Sequence, residues 1–363
     1  MSRVMRTGKI LALCAALALP GFSHAGQAKS AEDVWKALEK LPAAEREKKL
    51  VEGAKIEGGE MVWYTNTGVD NANRYVQAFK KAYPFIDAKV WRAKSRDVAQ
   101  KFLTESRAGI FVADVVKTTT DLLPPLFERN LIGRYESPIR AVYPAQAKGA
   151  LWTSTNFEFR VFGYNPKMVA RQDVPKTWDE LLHQRWGGQI LFDESSLEEV
   201  LALRGTWGRD KTVEYLRKLR PQLLIRRGRD HIANLMMAGE APLAVTIYPY
   251  NAETLRAQGA PIDWVAPDVV TTLVYPLTMS RSSPHPHAAA LFYDFLLSDA
   301  GQQMLAKEGR FVSNPKFEPI YPKIKELRAM MGTPRLHLNT VEDAAKHHAD
   351  SLKILDEIVL QRK

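Results

Sequence analysis

The chain has 363 residues, a formal net charge of +10 and one cysteine, Cys14. This length can bury a large apolar core and is typical of two domains. A single cysteine excludes a disulfide or a multi-thiolate zinc site within the chain, and the lack of a run of five or more Lys/Arg residues argues against nucleic acid as the partner.

Residues 1–25 have the pattern of a cleaved secretory signal. Three cations precede an apolar run over residues 10–18, and small residues flank the predicted cleavage point near Ala25. We therefore expect export to the periplasm without a membrane-spanning segment. A lipid anchor on Cys14 is the competing interpretation, but bulky Leu13 stands where a small residue is expected.

Cleavage would leave a mature chain without cysteine and with a charge of +7, because the signal holds three cations and no acid. Such a charge suits a small anionic ligand or an anionic membrane surface, and it also suits solubility alone. These three interpretations stay open at the level of composition.

Three short predicted strands in the first half of the chain each end in a polar loop. Residues 26–57 precede them and are predicted to form a helical lead-in. The strands span residues 61–64, 86–91 and 113–117, and their loops span residues 65–67, 94–96 and 118–120. If the strands are parallel, right-handed crossovers bring the three loops to one edge of a sheet, where open α/β folds bind ligands.

Two longer extended runs, residues 152–164 and 273–279, are rich in β-branched and aromatic residues. Between them the sequence predicts further strands at residues 189–192, 243–247 and 262–266. This order predicts two α/β lobes that are joined by two crossing strands and separated by a cleft. The predicted boundaries are residues 58–157 and 274–363 for lobe 1 and residues 158–273 for lobe 2.

Two capping-box patterns in the central block predict helix starts. One begins at Thr177, and the other begins at Ser196 and ends in Glu198-Glu199. Glu198 and Glu199 are therefore interpreted as capping residues and not as a catalytic carboxylate pair. The chain after Pro286 is predicted to be mostly helical.

Short motifs, in their order and spacing, make the chain similar to a known family over most of residues 58–320. It resembles the solute-binding proteins of bacterial ABC importers, in particular the group that includes the periplasmic ferric-ion-binding proteins (extracellular solute-binding family 1-like). The motifs that carry the resemblance are Val62-Trp63-Tyr64-Thr65-Asn66, Ala113-Asp114-Val115-Val116, Phe162-Gly163-Tyr164-Asn165, Trp178-Asp179-Glu180-Leu181, Met237-Ala238-Gly239-Glu240, Ser283-Pro284-His285-Pro286-His287 and Phe295-Leu296.

The resemblance implies a two-lobe, doubly wound α/β fold of the periplasmic-binding-protein type II class that closes on a solute and delivers it to a membrane permease. In ferric-ion-binding members, an adjacent tyrosine pair after a strand of the second lobe grips the metal. Here that loop reads Tyr248-Pro249-Tyr250, and the family's histidine in the first loop has no counterpart in Thr65-Asn66-Thr67-Gly68-Val69. Because of these two departures from the family pattern, ferric iron is kept as the alternative ligand and not as the main one.

The predicted ligand is a small organic anion, a carboxylate or a phosphonate, held between the lobes. Hydroxyl-rich loops, arginine forks and a helix start at Ser195-Ser196 favour an anion. Asp193 and Glu194 argue against it and would suit a cation such as a polyamine. The candidate ligand-binding residues are Thr65, Asn66, Ser95, Arg96, Thr118, Thr119, Arg160, Ser195, Ser196, Tyr248, Tyr250 and Asn251.

No catalytic motif is found: the chain lacks G-x-S-x-G, H-E-x-x-H and G-x-G-x-x-G. We expect no catalytic residue, no bound metal and no cofactor. The expected partners are a small solute and an inner-membrane ABC permease, with the protein itself a monomer. An exported enzyme on the same scaffold, such as a phosphoesterase, is the alternative from another class, and a binding protein that serves a sensor is a third.

Overall fold

The computed structural model describes residues 30–362. The predicted signal segment and Cys14 lie outside these residues. Within them, no helix is both long and apolar enough to cross a bilayer.

Two helices precede the first strand, within the segment predicted as a helical lead-in. They are α1 (Ala31–Leu38) and α2 (Ala43–Ile56). Ser30 and Asp33 form a capping box at the start of α1, which satisfies backbone donors that a helix start leaves free. Trp35 is fully buried, and its indole N–H donates to Pro286 O over 2.9 Å, so α1 is held against a residue 251 positions later in the chain.

Lobe 1 is built on three parallel strands that alternate with helices. The elements in chain order are β1 (Glu60–Thr65), α3 (Val69–Ala82), β2 (Asp87–Arg92), α4 (Ser95–Arg107), β3 (Val115–Lys117), α5 (Pro124–Glu128) and β4 (Ile132–Gly133). β1 lies between β2 and β3, and both pairings are parallel. The condition for the three polar loops to share one edge is therefore met.

Two antiparallel strands cross from one lobe to the other. They are β5 (Thr153–Tyr164) and β10 (Val270–Ser280), and Thr271 is paired with Arg160 while Leu277 is paired with Thr153. The strand order is β2-β1-β3-β10-β5-β8-β6-β7, where β6 spans Ile190–Asp193, β7 spans Leu223–Arg226 and β8 spans Leu243–Ile247. The crossing pair therefore lies at the centre of the sheet. The prediction of two crossing strands is confirmed.

Lobe 2 has its own parallel strands, in the order β8-β6-β7. Its elements are β6 (Ile190–Asp193), α6 (Leu197–Trp207), α7 (Arg209–Leu219), β7 (Leu223–Arg226), α8 (Arg229–Met237), β8 (Leu243–Ile247), α9 (Pro249–Ala257) and β9 (Asp263–Val265). β8 and β9 are antiparallel to the end of β5. The carboxyl ends of the lobe 2 strands therefore lead into α6, α8 and α9.

The two predicted capping boxes are only partly confirmed. Thr177 is followed by a short 3-10 turn over Asp179–Leu182, where an α-helix was predicted. Buried Trp178 and Leu181 anchor this turn to the core. Ser196 does precede α6, but its hydroxyl does not cap the helix. Glu199 does not close a capping box either, because its side chain is buried beside two arginines.

The last third of the chain returns to the sheet and then packs on lobe 2. It comprises α10 (Pro286–Leu297), α11 (Asp299–Lys307), β11 (Phe311–Val312), α12 (Pro322–Met330), β12 (Leu336–Asn339), α13 (Val341–Ile354) and a π-helical turn (Leu355–Val359). The mostly helical prediction missed β11 and β12, which pair with β5 and β10. α13 lies against α6, and Ile354, Leu355 and Val359 join the lobe 2 core.

Candidate ligand-binding cleft

The three polar loops of lobe 1 lie in contact, as predicted. The side-chain amide Nδ2 of Asn66 donates to Ser95 Oγ over 2.8 Å, and the Thr118 hydroxyl donates to Ser95 O over 3.1 Å. The Thr65 hydroxyl bonds the hydroxyl of Thr67 and accepts from its backbone N–H. The hydrogen-bonding groups of this edge are thus largely used within the edge itself.

Arg96 and Thr119 are the other two predicted residues of lobe 1. Arg96 is exposed in the first turn of α4, and no carboxylate of residues 30–362 lies within ion-pair distance of it. Thr119 is buried just before a 3-10 turn that begins at Thr120. Of the two, only Thr119 is enclosed by the protein.

Lobe 2 brings its predicted polar residues to the carboxyl ends of its strands. The N–H and the hydroxyl of Ser195 both donate to Asp193 Oδ1 over 2.8 Å, so a carboxylate of the chain already occupies that turn. Ser196 is fully buried at the start of α6. Asn251 donates from Nδ2 to Asp230 Oδ1 over 3.1 Å.

Arg160 stands at the centre of a buried charge cluster. Its side chain is 2% exposed, with Nε 3.6 Å from Glu199 Oε1 and a terminal nitrogen 3.7 Å from Glu198 Oε1. Arg229, the first residue of α8, approaches the same two carboxylates at 2.8 Å and 3.5 Å. Two arginines and two glutamates therefore neutralise one another inside the protein.

The two tyrosines of the Tyr248-Pro249-Tyr250 loop lie beneath guanidinium groups. Arg160 Cζ is 4.6 Å from the Tyr248 ring centroid, and Arg310 Cζ is 3.8 Å from that of Tyr250. The two rings are 5.5 Å apart, and Arg310 donates to Glu158 Oε1 over 2.8 Å. Cation–π contacts of this kind hold the arginines and tyrosines as one unit.

Lys117 connects the lobe 1 edge to this cluster. It ends β3, is buried, and donates to Thr67 Oγ1 over 3.2 Å while its Nζ lies 5.3 Å from the Tyr275 ring centroid. Burial, and next the charge of Arg310, lower the pKa of Lys117 to about 8. A buried amine is thus close to its titration point near neutral pH.

The two glutamates differ in protonation. Burial raises the pKa of Glu199 to about 7, and the neighbouring Glu198 charge adds to this against the opposing effect of Arg229. Burial also disfavours the charged form of Glu198, but Arg229 and then Arg160 outweigh it, so the pKa of Glu198 is lowered. Glu198 is the ionised partner of the arginines, and Glu199 carries a partial charge at neutral pH.

Several buried polar atoms of this cluster have no hydrogen-bond partner among residues 30–362. They are Arg160 Nε, Arg229 Nε, Glu199 Oε1 and Glu158 Oε2. Buried polar atoms in native proteins are nearly always hydrogen-bonded, and leaving one unpaired costs roughly 1–3 kcal/mol. This concentration marks a place where the chain is equipped to bond to water or to a ligand.

The sequence interpretation missed part of this cluster. Arg229 follows β7 after Gly228 and could have been found by the same rule that selected the other strand ends. Glu158 was missed although it shares one face of β5 with the predicted residue Arg160, at a spacing of two residues. Lys117 ends the predicted strand over residues 113–117 and adjoins its polar loop, whereas Arg310 carries no local signal because its partner Glu158 is distant in sequence.

The described part of the chain has no group of three or more His, Cys, Asp or Glu residues placed to hold a metal ion. Tyr248 and Tyr250 lie against arginines, and burial raises the pKa of Tyr250. Bringing ferric iron to this pair would place a cation beside Arg160 and Arg310. The local charge therefore disfavours the geometry that the ferric-ion alternative requires.

Solved structures with the same fold include several binding proteins. They include iron-bound HitA from Pseudomonas aeruginosa, at 21% identity and a TM-score of 0.70, covering 82% of this chain and 99% of that chain. AfuA from Actinobacillus pleuropneumoniae, with fructose-6-phosphate bound, matches at 20% identity and a TM-score of 0.69, covering 83% of this chain and 99% of that chain. The ferric binding protein from Campylobacter jejuni matches at 17% identity and a TM-score of 0.71, covering 82% of this chain and 99% of that chain.

No curated protein matches the chain. A family model described as bacterial extracellular solute-binding protein matches residues 125–330, which is more than half of the chain. The two-lobe architecture and the resemblance seen in the motifs agree with this match. The chain therefore belongs to the bacterial extracellular solute-binding proteins, the binding components of ABC importers.

Proposed function

We propose that this protein is a periplasmic, monomeric binding component that captures a small organic anion between its lobes and delivers it to an ABC permease. The anion is a carboxylate, a phosphonate or a phosphate ester. The observation that carries the proposal is the buried arginine–tyrosine cluster beside Tyr248, in which the Nε donors of Arg160 and Arg229 form no hydrogen bond within residues 30–362.

An anion suits this cluster better than a cation does. Glu158 and Glu198 are each within 2.8 Å of an arginine nitrogen, so their charges are already compensated. The raised pKa of Glu199 removes part of the remaining negative charge at neutral pH. Guanidinium groups bind carboxylate and phosphate oxygens through paired, charge-assisted hydrogen bonds. AfuA, with fructose-6-phosphate bound, gives a precedent for an anionic ligand in this fold.

The two lobes contribute different parts of the proposed binding surface. Lobe 1 offers neutral groups at Asn66, Ser95 and Thr118, and the crossing strand and lobe 2 offer Arg160 and Tyr248. Only a closed state lets one small ligand contact both sets of groups, so ligand binding favours closure. Small-angle scattering with a bound ligand should show a smaller radius of gyration than without it.

A thermal-shift screen is the first test of ligand class. The panel consists of organic acids, phosphonates, sugar phosphates, polyamines and ferric citrate. A ligand at ~100 times its Kd should add about 2.7 kcal/mol to the free energy of unfolding. Stabilisation by organic anions supports the proposal, whereas stabilisation by ferric citrate or amines alone contradicts it.

Two variants then locate the site. Tyr248→Leu removes the ring beneath Arg160 and Arg229, and we expect the affinity for the identified anion to fall at least tenfold, a loss of about 1.4 kcal/mol. Arg96→Ala removes an exposed arginine of the lobe 1 edge, and we expect an affinity change below threefold. The opposite ranking would place the anion at α4 and not at the buried cluster.

The enzyme alternative is tested with the same ligand. The solute released from the protein should be recovered chemically unchanged after long incubation. Any turnover of a phosphoester would contradict the role of a binding component. Reconstitution with a permease, measured as ATP-dependent uptake, separates delivery to an importer from delivery to a sensor.

A further inference from the structure

A second pocket lies on lobe 2, at the opposite end of the sheet from the cleft. It has a volume of about 440 Å³ and is bounded by α7, by the residues before β7 and by the C-terminal segment. Arg220 and Pro221 directly precede β7, whereas the cleft residues follow the carboxyl ends of β6 and β8. The volume falls within the range of small-molecule sites, roughly 300–1,000 Å³.

The lining of this pocket is strongly cationic. Four of its side chains are positive and one is negative: Arg209, Arg217, Arg220 and Lys353 against Glu357. Arg209 is compensated by Asp350 at 2.9 Å, and Lys353 lies 3.7 Å from Glu357. Neither Arg217 nor Arg220 has a carboxylate of residues 30–362 within ion-pair distance. Two positive charges of the pocket are therefore left without an acidic partner.

Arg220 is the second observation that points to a ligand. One terminal nitrogen donates to Leu223 O at the long distance of 3.4 Å. Its Nε is buried and has no hydrogen-bond partner within the described chain. Cations in the last turn of α7 are expected from the helix dipole, and this accounts for Arg217 and Lys218. It does not account for a buried and unpaired guanidinium donor one residue beyond the helix.

The pocket wall formed by the C-terminal segment has an unusual backbone conformation. Residues Leu355–Val359 form a π-helical turn, and Glu357 and Ile358 of this turn line the pocket. π-helical turns are rare and occur frequently at functional sites. Val213, Ile354 and Ile358 give the pocket an apolar side beside its cations, which suits an anionic head group attached to a less polar body.

We infer that this pocket is a second anion site, separate from the cleft, that binds a phosphate-bearing group through Arg217 and Arg220. Guanidinium forks match phosphate oxygens bidentately. The inference does not depend on the proposed function of the cleft, where acids accompany the arginines. It also assigns a role to part of the net positive charge of the chain. The phosphate group belongs either to a soluble phosphate ester or to the head group of an anionic phospholipid.

Binding is tested on the full mature protein with two probes and a matched pair of variants. The soluble probe is glycerol 3-phosphate, and its binding is measured by calorimetry. Sodium chloride at equal ionic strength serves as the reference. The membrane probe is a vesicle of phosphatidylglycerol, and its binding is measured by co-sedimentation. Arg217→Gln removes a charge from the pocket, and Lys218→Gln removes the same charge from the neighbouring position, where the side chain pairs with Glu214 outside the pocket.

We expect saturable binding of at least one probe, weakened at least fivefold in Arg217→Gln and less than twofold in Lys218→Gln. Binding of glycerol 3-phosphate would identify a soluble ester as the source, and binding of vesicles alone would identify a lipid head group. Equal loss in the two variants, or no saturable binding of either probe, would overturn the inference. Tyr248→Leu should leave this binding unchanged, so failure here and failure of the cleft proposal are distinguishable.

Discussion

The two sides of the cleft are built from opposite chemistry. On lobe 1, Asn66, Ser95 and Thr118 are neutral and bond to one another. On the crossing strand and lobe 2, Arg160 and Arg229 face buried carboxylates, and their Nε donors form no hydrogen bond within residues 30–362. The hydrogen-bonding groups of the first side are largely used within it, with Asn66 Oδ1 left over, whereas the second side keeps several buried donors and acceptors without a hydrogen bond among residues 30–362. This difference suggests that lobe 1 shapes the cleft and that lobe 2 with the crossing strand recognises the charge of the solute.

Buried ion pairs are costly to assemble and more costly to break. Desolvation offsets much of their attraction, so a cluster of this kind adds little net stability when intact. Removal of one member leaves its partner charged and unpaired inside the protein. The two sides of the cleft should therefore respond very differently to single substitutions, and the following predictions are arranged from the largest expected effect to the smallest.

The largest loss of stability is expected for Arg229→Met. Its guanidinium lies 2.8 Å from Glu198 and 3.5 Å from Glu199, and all three side chains are at most 10% exposed. The substitution leaves two carboxylates with only Arg160 at 3.6–3.7 Å. We expect the free energy of unfolding to fall by about 3 kcal/mol or more, measured by urea denaturation of the ligand-free protein.

Arg227→Met is the matched control. Arg227 is two residues away, its side chain is 76% exposed, and it lies 3.4 Å from Glu194. Surface ion pairs of this kind contribute roughly 0–1 kcal/mol, so the control should unfold at nearly the denaturant concentration of the parent. If the two variants lose similar stability, the buried cluster does not carry the cost assigned to it.

The next largest expected effect is the change in the free energy of unfolding with pH that arises from the protonation of Glu199. Its pKa is about 7 in the folded protein and 4.5 ordinarily, so between these values the folded state binds more protons than the unfolded state. The contribution of Glu199 therefore makes stability fall as pH rises through this window, and the loss is complete above pH ~7. The full effect is at most about 3 kcal/mol. Glu199→Gln should flatten this part of the stability–pH profile.

Lys117 on the lobe 1 side should respond in the opposite direction and at higher pH. Its pKa is about 8 when folded and 10.5 ordinarily, so between these values the unfolded state binds more protons. Stability from this group therefore rises with pH across that window. Lys117→Met should remove the rise without altering the profile below pH ~7. A change in the acidic window instead would show that the two sides titrate as one coupled unit.

The sequence was sufficient to predict the strand ends of lobe 1 and the two crossing strands. Those features are local: polar residues follow short apolar runs, and β-branched and aromatic residues fill residues 153–164. The parallel pairing then brought Asn66 and Ser95 together, although they lie 29 positions apart. Local pattern and the handedness of crossovers thus determine much of the lobe 1 edge.

The buried cluster could not be predicted in the same way. The S-x-x-E pattern at Ser196 fits a capping box, but a sequence does not reveal that Arg160 and Arg229 compete for Glu199. Arg310 meets Glu158 from 152 positions away. These contacts depend on how the last third of the chain returns to β5, and no local propensity specifies that return.

The smallest effect is expected on the lobe 1 edge, for Ser95→Ala. Its hydroxyl accepts from Asn66, and both residues are half-buried, so water can replace part of the lost bond. We expect a loss of about 1 kcal/mol in the free energy of unfolding. Ser106→Ala, on the same helix α4 but bonded only to Phe102 O, is the matched control and should change stability by less than ~0.5 kcal/mol.

The same variant also tests the division of roles between the two sides. If lobe 1 shapes the cleft and does not select the charge, Ser95→Ala should lower the affinity for the anion no more than threefold, and equally for acids that differ in charge. Because Asn66 Oδ1 already lacks a partner among the described residues, removal of Ser95 Oγ frees the whole amide to reorient towards the ligand. A loss of tenfold or more, or a loss that depends on ligand charge, would move anion recognition to the lobe 1 edge.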